Sequence, residues 1–407
     1  MVLRSLHIEN FRNIKSLDID FGTEEKPRKW TYLLGENGTG KTNILRAIAL
    51  ALSPVDTFTE LYFTSDNWIA LEEKKLTIKA TVEWTNHHQP AIRSIQIEEG
   101  KSISEILQTL GDVPSKWHEL FCVGYGASRR LSKAPWMLSS SWFRDGASGR
   151  VTTLFDSDAN LNPIDSWAMD LDYRQPELGI KRVKERLQGL IPDVEFSHID
   201  KEKKQLIFNT PDGKTPLSQL SDGYKNMMSW IGDLFYWLDA EYPSNKPLED
   251  MQGIILLDEM ELHLHPKWQR ALRAYLDEKL PNFQIIATTH SPITAQQAQE
   301  DELYYMERES PTSPPKLHKY RGNPSQLMIH QMLNNPAFGN PTIDSYAVEQ
   351  KRKEYIQLNV KSNRTSRENA KLKALNQELG DLPTISMSGQ DDDNSVMSLL
   401  RKIETAL

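Results

Sequence analysis

The stretch Gly-Glu-Asn-Gly-Thr-Gly-Lys-Thr, residues 35 to 42, narrows the choice of fold more than any other part of this chain. It satisfies the pattern G-x-x-x-x-G-K-[ST]. A short apolar run, Trp30 to Leu34, stops at its first glycine. Ile44, Leu45, Ile48 and Leu52 follow at helical spacing until Pro54. A strand, a glycine turn and a helix in that order make a cradle for a polyphosphate. The glycines let backbone N–H groups curl around the anion, and the helix N-terminus adds partial positive charge. Asn37, Gly38, Thr39, Gly40, Lys41, Thr42 and Asn43 are therefore assigned to nucleotide binding. Lys41 is expected on the β- and γ-phosphates, and Thr42 on Mg²⁺ through its hydroxyl. A chance glycine-rich turn with a stray lysine would not explain both flanks.

Such a loop needs an acid at the tip of a neighbouring buried strand. Gly253 to Leu257 is continuously apolar, as a strand buried on both faces requires, and Asp258 and Glu259 follow it. Asp258 is the expected second Mg²⁺ ligand, and Glu259 the general base for water attacking the γ-phosphate. Two acids at an apolar tip are costly without a cation or water beside them. A second buried strand, "FQIIATTHSP", ends at His290, whose imidazole is placed to donate to the γ-phosphate or to position the water. His263 and His265 stand two apart on a turn, so they do not share a face as an i, i+4 metal pair does. Packing and hydrogen bonding in the turn are the preferred reading for them. "LSDGYK" precedes a long helix, and Ser221 with Gly223 reads by itself as an N-cap and tight turn.

The rest of the chain sets limits. It has 407 residues and a net charge of −8, so its global field does not draw it to nucleic acid or to an anionic membrane. Cys122 is the single cysteine, which excludes an intramolecular disulfide framework and fits a reducing cytosol. No apolar run approaches the ~20 residues of a spanning helix, and the opening residues lack the apolar centre of a signal peptide. A cytoplasmic protein with no membrane partner is expected. Period-two alternation predicts strands over Leu3 to Ile8 and Leu17 to Phe21, and a hairpin between Leu76 and Ile97. Helices are expected over Ser102 to Leu110, Glu177 to Leu190 and Lys267 to Leu280. Further strands are expected over Leu120 to Arg130, Val194 to Ile199 and Gln205 to Asn209, and a loop over Leu131 to Gly149. Strands alternating with helices argue for an α/β fold with parallel strands. Glu309 to Lys316 reads as a linker, the chain after Tyr320 as charged and helical, and Gln390 to Ser395 as an acidic stretch. The expected domains are a head over 1–308, with a β-rich insert at about 60–210, and a helical extension over 309–407. Lys351, Arg352, Lys353 and Lys371 are interleaved with acids, as on a solvated helical face.

"GENGTGKT", "LSDGYK", "IILLDE" and "TTHS" follow one another in the order of the ABC-type ATPase heads. The opening "LHIENFRNIKSLDIDF" and the form "DEMELHLHP" are similar to the RecF, SMC and OLD branch of these AAA-family ATPases. The resemblance covers most of Met1 to Pro292. It implies an ABC-type P-loop head with a mixed or parallel sheet, which binds ATP with Mg²⁺ and hydrolyses it. It also implies that two heads enclose two ATP molecules, in a homodimer or a higher homo-oligomer. Ser221 and Gly223 would then touch the γ-phosphate held by the other subunit, and Arg12 and Asn13 of "NFRN" would reach the phosphate or base side. Departures are Asp222, Tyr224 and His265, and the absence of a clear glutamine loop where "YGASRR" stands. No heptad arm splits the head, and no Toprim-like acidic strand pattern follows His290. That layout resembles ATPase subunits of bacterial anti-phage defence systems such as Septu, which implies a sensor or gating role beside a separately encoded nuclease or toxic effector. The alternative is a RecF-like DNA-maintenance ATPase, with DNA as an ATP-dependent partner. A transporter subunit is disfavoured by "NFRN" and the insert, and a nucleotide-locked structural subunit by the intact Glu259.

Overall fold

Three mainly apolar stretches, buried along their whole length, become neighbours in one sheet. The computed structural model describes residues 1–23, 26–64, 68–84, 90–108, 110, 117, 120–131, 146–310, 313–333, 335–338, 345–361 and 363–380. Contacts divide the chain into two units, Met1–Ile329 and His330–Leu407. In the first, Trp30–Gly35, Gly253–Leu257 and Phe283–Thr289 are buried at every position. They belong to a six-stranded sheet in the order Lys316–Lys319, Leu303–Glu307, Trp30–Gly35, Phe283–Thr289, Gly253–Leu257, Cys122–Tyr125. Every pairing is parallel except that of the edge strand Lys316–Lys319. Parallel strands covered on both faces read as unbroken apolar runs, which is why these were visible in the sequence.

Helix Lys41–Leu52 lies between this sheet and a second one. Ile44, Leu45, Ala47, Ile48 and every residue from Ala49 to Leu52 are buried, so the helix is apolar almost all round. The second sheet is antiparallel, in the order Ile14–Asp20, Val2–Phe11, Lys75–Glu83, Ala91–Glu98. Leu3, Ile8 and Ile78 from it join Ile44, Leu256 and Ile286 in one core cluster. Gln284 fastens the two sheets together. It accepts from Leu3 N–H at 2.7 Å and donates to Leu3 O at 3.0 Å across 281 residues of sequence. A third, antiparallel sheet, Gly213–Pro216, Gln205–Thr210 and Glu195–Asp200, goes with helices Ile164–Arg174, Leu178–Leu187 and Asp222–Glu241. There the buried Arg186 pairs with Asp239 at 2.5 and 2.7 Å, and Trp167 Nε1 donates to the same carboxylate.

The segment expected as an insert at about 60–210 serves three different parts. Lys75–Glu83 and Ala91–Glu98 complete the sheet begun by Val2–Phe11, and Cys122–Tyr125 is an edge of the central sheet. The expected boundary at 308 falls within the hairpin of Leu303–Glu307 and Lys316–Lys319, so the first unit continues to Ile329. Most of the expected loop over Leu131 to Gly149 lies outside the described residues, as does the acidic stretch Gln390 to Ser395; Gly146–Gly149 forms one helical turn.

In the second unit, helices Tyr346–Val360 and Ser366–Gly380 run antiparallel, as the ion pairs Lys351–Glu378 and Lys371–Glu354 require. Arg364 donates to the carbonyls of Leu358 and Asn359, where the first helix leaves acceptors free. Lys351, Lys353, Lys361 and Lys371 are each paired with a glutamate within the hairpin. Among the described residues, no helix is long and apolar enough to cross a membrane.

Candidate nucleotide-binding site

Strand Trp30–Gly35 ends at a glycine because nothing larger fits. Gly35 has φ +152°, and a Cβ there would stand 2.7 Å from Met306 O. Gly40 caps the following helix at φ +103°, with Asn13 Oδ1 2.8 Å from where a Cβ would be. Between them Thr39 braces the turn by donating to Glu36 O at 2.8 Å. Lys41 folds back under it, and its ammonium donates to Gly35 O at 2.8 Å and Glu36 O at 2.9 Å. Burial pushes the lysine down to about 8, against the raising pull of Asp258 and Glu259. Such an ammonium gains most from a dense negative charge brought into contact with it.

The acids arrive from the adjacent strands. Thr42 Oγ1 donates to Asp258 Oδ2 at 2.9 Å across 216 residues of sequence. Asp258 also accepts from Thr288 Oγ1 at 2.7 Å, and the same hydroxyl accepts from Glu259 N–H at 2.7 Å. Glu259 sits in the left-handed region at φ +47°. Its carboxyl is held above the usual range by burial, then by Asp258 and Glu261. His290 stands at the next strand tip and is held below its usual value by burial, then by Lys41. Its N–H and that of Ser291 donate to Glu261 Oε1 at 2.6 and 3.1 Å, so the third acid of the loop orients the histidine turn.

Thr288 was not singled out in the sequence, although it lies within "TTHS". Its hydroxyl is buried and fully used, so Thr288→Val is expected to cost about 1–3 kcal/mol of stability. Thr288→Ser is expected to restore most of that in urea unfolding. A valine variant as stable as the parent would remove Thr288 from this role.

Lys41, Thr42, Asp258, Glu259 and His290 line one cleft of about 310 Å³. Asn37, Gly38, Gly40, Asn43, Arg12 and Asn13 line it too, whereas Thr39, also expected there, is buried in the turn and does not. Asn13 donates to Gly38 O at 2.9 Å and accepts from Asn43 Nδ2 at 2.8 Å, which ties the first strand pair to the phosphate loop. Arg12, at φ +54°, lies 5.3 Å from the centre of the Trp68 ring, and its Nε is buried without a hydrogen-bond partner. Two arginines went unnoticed in the sequence. Arg46 lines the cleft and donates to Leu154 O, and Arg308 donates to Gly38 O at 3.1 Å. Spacing from Lys41 would have found Arg46; nothing local to Arg308 points to the loop.

Ser221 and Gly223 do not line this cleft. Ser221 is exposed at the start of helix Asp222–Glu241. A Cβ on Gly223 would stand 2.7 Å from His263 O, so the glycine admits the turn after the acids. His263 makes that turn at φ +63°. His265 caps helix Pro266–Lys279, accepting from Lys267 N–H at 3.3 Å. Both histidines therefore have places in turn geometry.

The donors suit a triphosphate with a hard divalent cation. A hydroxyl and a carboxylate, both oxygen ligands, face each other beside a buried ammonium and a partnerless guanidinium nitrogen. Fold and cleft together define a P-loop nucleotide-binding head. A family model described as "AAA domain" matches residues 5–115, and one described as "AAA domain, putative AbiEii toxin, Type IV TA system" matches 141–295. The Septu protein PtuA of Bacillus mycoides is 26% identical over 299 residues, 72% of this chain and 38% of that protein. The retron Ec83 probable ATPase of Escherichia coli is 32% identical over 110 residues, 27% of this chain and 20% of that one. The DNA replication and repair protein RecF of a Synechococcus strain is 39% identical over 84 residues, 20% of each chain. The matches span 38% or less of each relative's own length. The chain belongs to the ABC-type ATPases of the RecF/SMC/OLD branch.

Proposed function

We propose that this chain binds ATP between two heads, hydrolyses it, and acts as the sensing or gating subunit of a bacterial anti-phage defence system. A separately encoded nuclease or other toxic effector would be its partner. The observation that carries the ATPase part is the hydrogen bond from Thr42 to Asp258, which brings the phosphate loop and the acidic strand into one cleft. The names of the Septu and retron relatives support the defence setting.

In this reading Lys41 leaves its two carbonyls for the β- and γ-phosphates of the substrate. Thr42 and Asp258 would hold Mg²⁺, which when bound would neutralise charge developing on the phosphates. Glu259 takes the proton of the attacking water, and its raised pKa makes it a stronger base than a free carboxylate. His290, kept neutral, offers an N–H to the γ-phosphate or a lone pair to the attacking water. Ser221 is exposed and available to the phosphate held by a second copy.

The two-head arrangement has a direct test. Ser221→Arg and Lys41→Ala are each expected to abolish turnover. An equal mixture regains roughly one quarter of the parent activity, because half the pairs are mixed and each has one complete site. Phosphate release from the purified variants, alone and mixed, reads this out, and a mixture as inactive as its components would sink the shared site. Co-purification with the products of neighbouring genes tests the effector partner; a chain active in defence by itself would overturn it.

A further inference from the structure

The turn that carries the two acids is held from both sides. Thr288 takes its N–H groups: its hydroxyl accepts from Glu259 N–H, and its carbonyl from Met260 N–H at 3.0 Å. On the other side, Arg129 Nη2 donates to Asp258 O at 2.6 Å and to Glu259 O at 3.1 Å. We infer that Arg129 is a positioning residue for the hydrolysis proposed above, holding the Asp258–Glu259 turn in its left-handed form. The inference rests on that reading of the cleft.

Arg129 is an expensive way to fill this space. It is 2% exposed, and its Nε and Nη1 are buried without hydrogen-bond partners among the described residues. Its guanidinium lies 5.5 Å from the centre of the Trp230 ring. Burial lowers its pKa to about 10, with Asp258, Glu261 and Glu259 pulling the other way, so it remains a cation near neutral pH. A methionine of similar reach would pack on the tryptophan without the cost of desolvating a charge. Among the described residues, the cation's hydrogen bonds go to the carbonyls of the two acids. Glu259 needs such a hold, because φ +47° is unfavourable for a residue with a side chain and persists only when its surroundings enforce it.

The approach to Arg129 is itself rigid. The chain leaves strand Cys122–Tyr125 through Gly126, where a Cβ would stand 2.0 Å from Thr153 O. Gly126 N–H donates to Thr153 Oγ1 at 3.3 Å, and that hydroxyl donates to Gly124 O at 3.0 Å. Arg129 therefore starts from a clamped strand exit, rests on Trp230 and ends on the catalytic turn. Removing it leaves the cleft's own side chains in place but frees the backbone that aims Glu259.

The test compares Arg129→Met, Arg129→Lys and Glu259→Gln with the parent in ATP turnover, equilibrium ATP binding with Mg²⁺, and thermal unfolding. Arg129→Met is expected to lower kcat on the order of 10–100-fold, the scale of a misplaced reacting group, with ATP affinity within about threefold. Arg129→Lys, which keeps a cation able to reach a carbonyl, recovers part of the loss. Turnover of Arg129→Met within about twofold of the parent, while Glu259→Gln is inactive, would overturn the role of Arg129 alone. So would a joint fall of kcat, affinity and unfolding temperature in both Arg129 variants, which would mark a purely structural side chain. Equal turnover of the parent and Glu259→Gln would instead overturn the hydrolysis reading beneath it.

Discussion

Glu259→Gln lowers ATP turnover by about 10²–10⁴-fold and leaves ATP bound, the effect of removing a general base without changing its shape. The carboxyl lines the cleft with Lys41 and His290, and burial raises its proton affinity. The amide keeps the same reach. The backbone bond from residue 259 to Thr288 and the Thr42–Asp258 contact do not involve the replaced atoms. Binding therefore survives while proton removal from water does not. Two heads closed on ATP should stay closed, so the variant is expected to accumulate as a larger species in light scattering when ATP and Mg²⁺ are present. Loss of nucleotide binding along with turnover would show that Glu259 shapes the cleft instead of acting in it.

Lys41→Ala weakens ATP binding by about 100-fold or more, since hydrogen bonds to charged groups contribute about 1.5–3 kcal/mol each and the lysine is placed to make two. Lys41 is 5% exposed, and its ammonium rests on two carbonyls. Burial has already weakened its hold on its proton, and a triphosphate reverses that by supplying the charge that water cannot. Arginine is not expected to rescue the site. Its planar fork needs more width than a turn closed by Gly35 and Gly40 against Met306 and Asn13 allows. Calorimetric titration with ATP measures the loss; unchanged affinity in the alanine variant would move the phosphates elsewhere.

What the sequence revealed follows from how local each signal is. The phosphate loop is one contiguous turn, and the strands beside it are mainly apolar because both faces are covered. Leu303–Glu307 and Lys316–Lys319 were hidden, since a Pro- and Ser-rich stretch between two short strands reads as a linker. Helix Val55–Thr64 was masked by Pro54, taken as the end of helical structure when it also precedes a new helix. Thr288, Arg129 and Arg308 act through hydrogen bonds to segments distant in the chain. Such bonds leave no periodicity behind. His265 was read correctly as belonging to a turn, but only its bond to Lys267 N–H shows that it starts a helix.

The order of strands in the central sheet also bears on how the protein is made. Trp30–Gly35 leaves the ribosome well before both its neighbours, Phe283–Thr289 and Leu303–Glu307, which come from far downstream. At ~5–20 residues per second, the roughly 250 intervening residues take on the order of 10–50 s to synthesise. Through that interval a mainly apolar strand has two unmet edges, a template for pairing with other nascent chains. Recovery of soluble protein should therefore depend on holdase chaperones and on slow, cool expression.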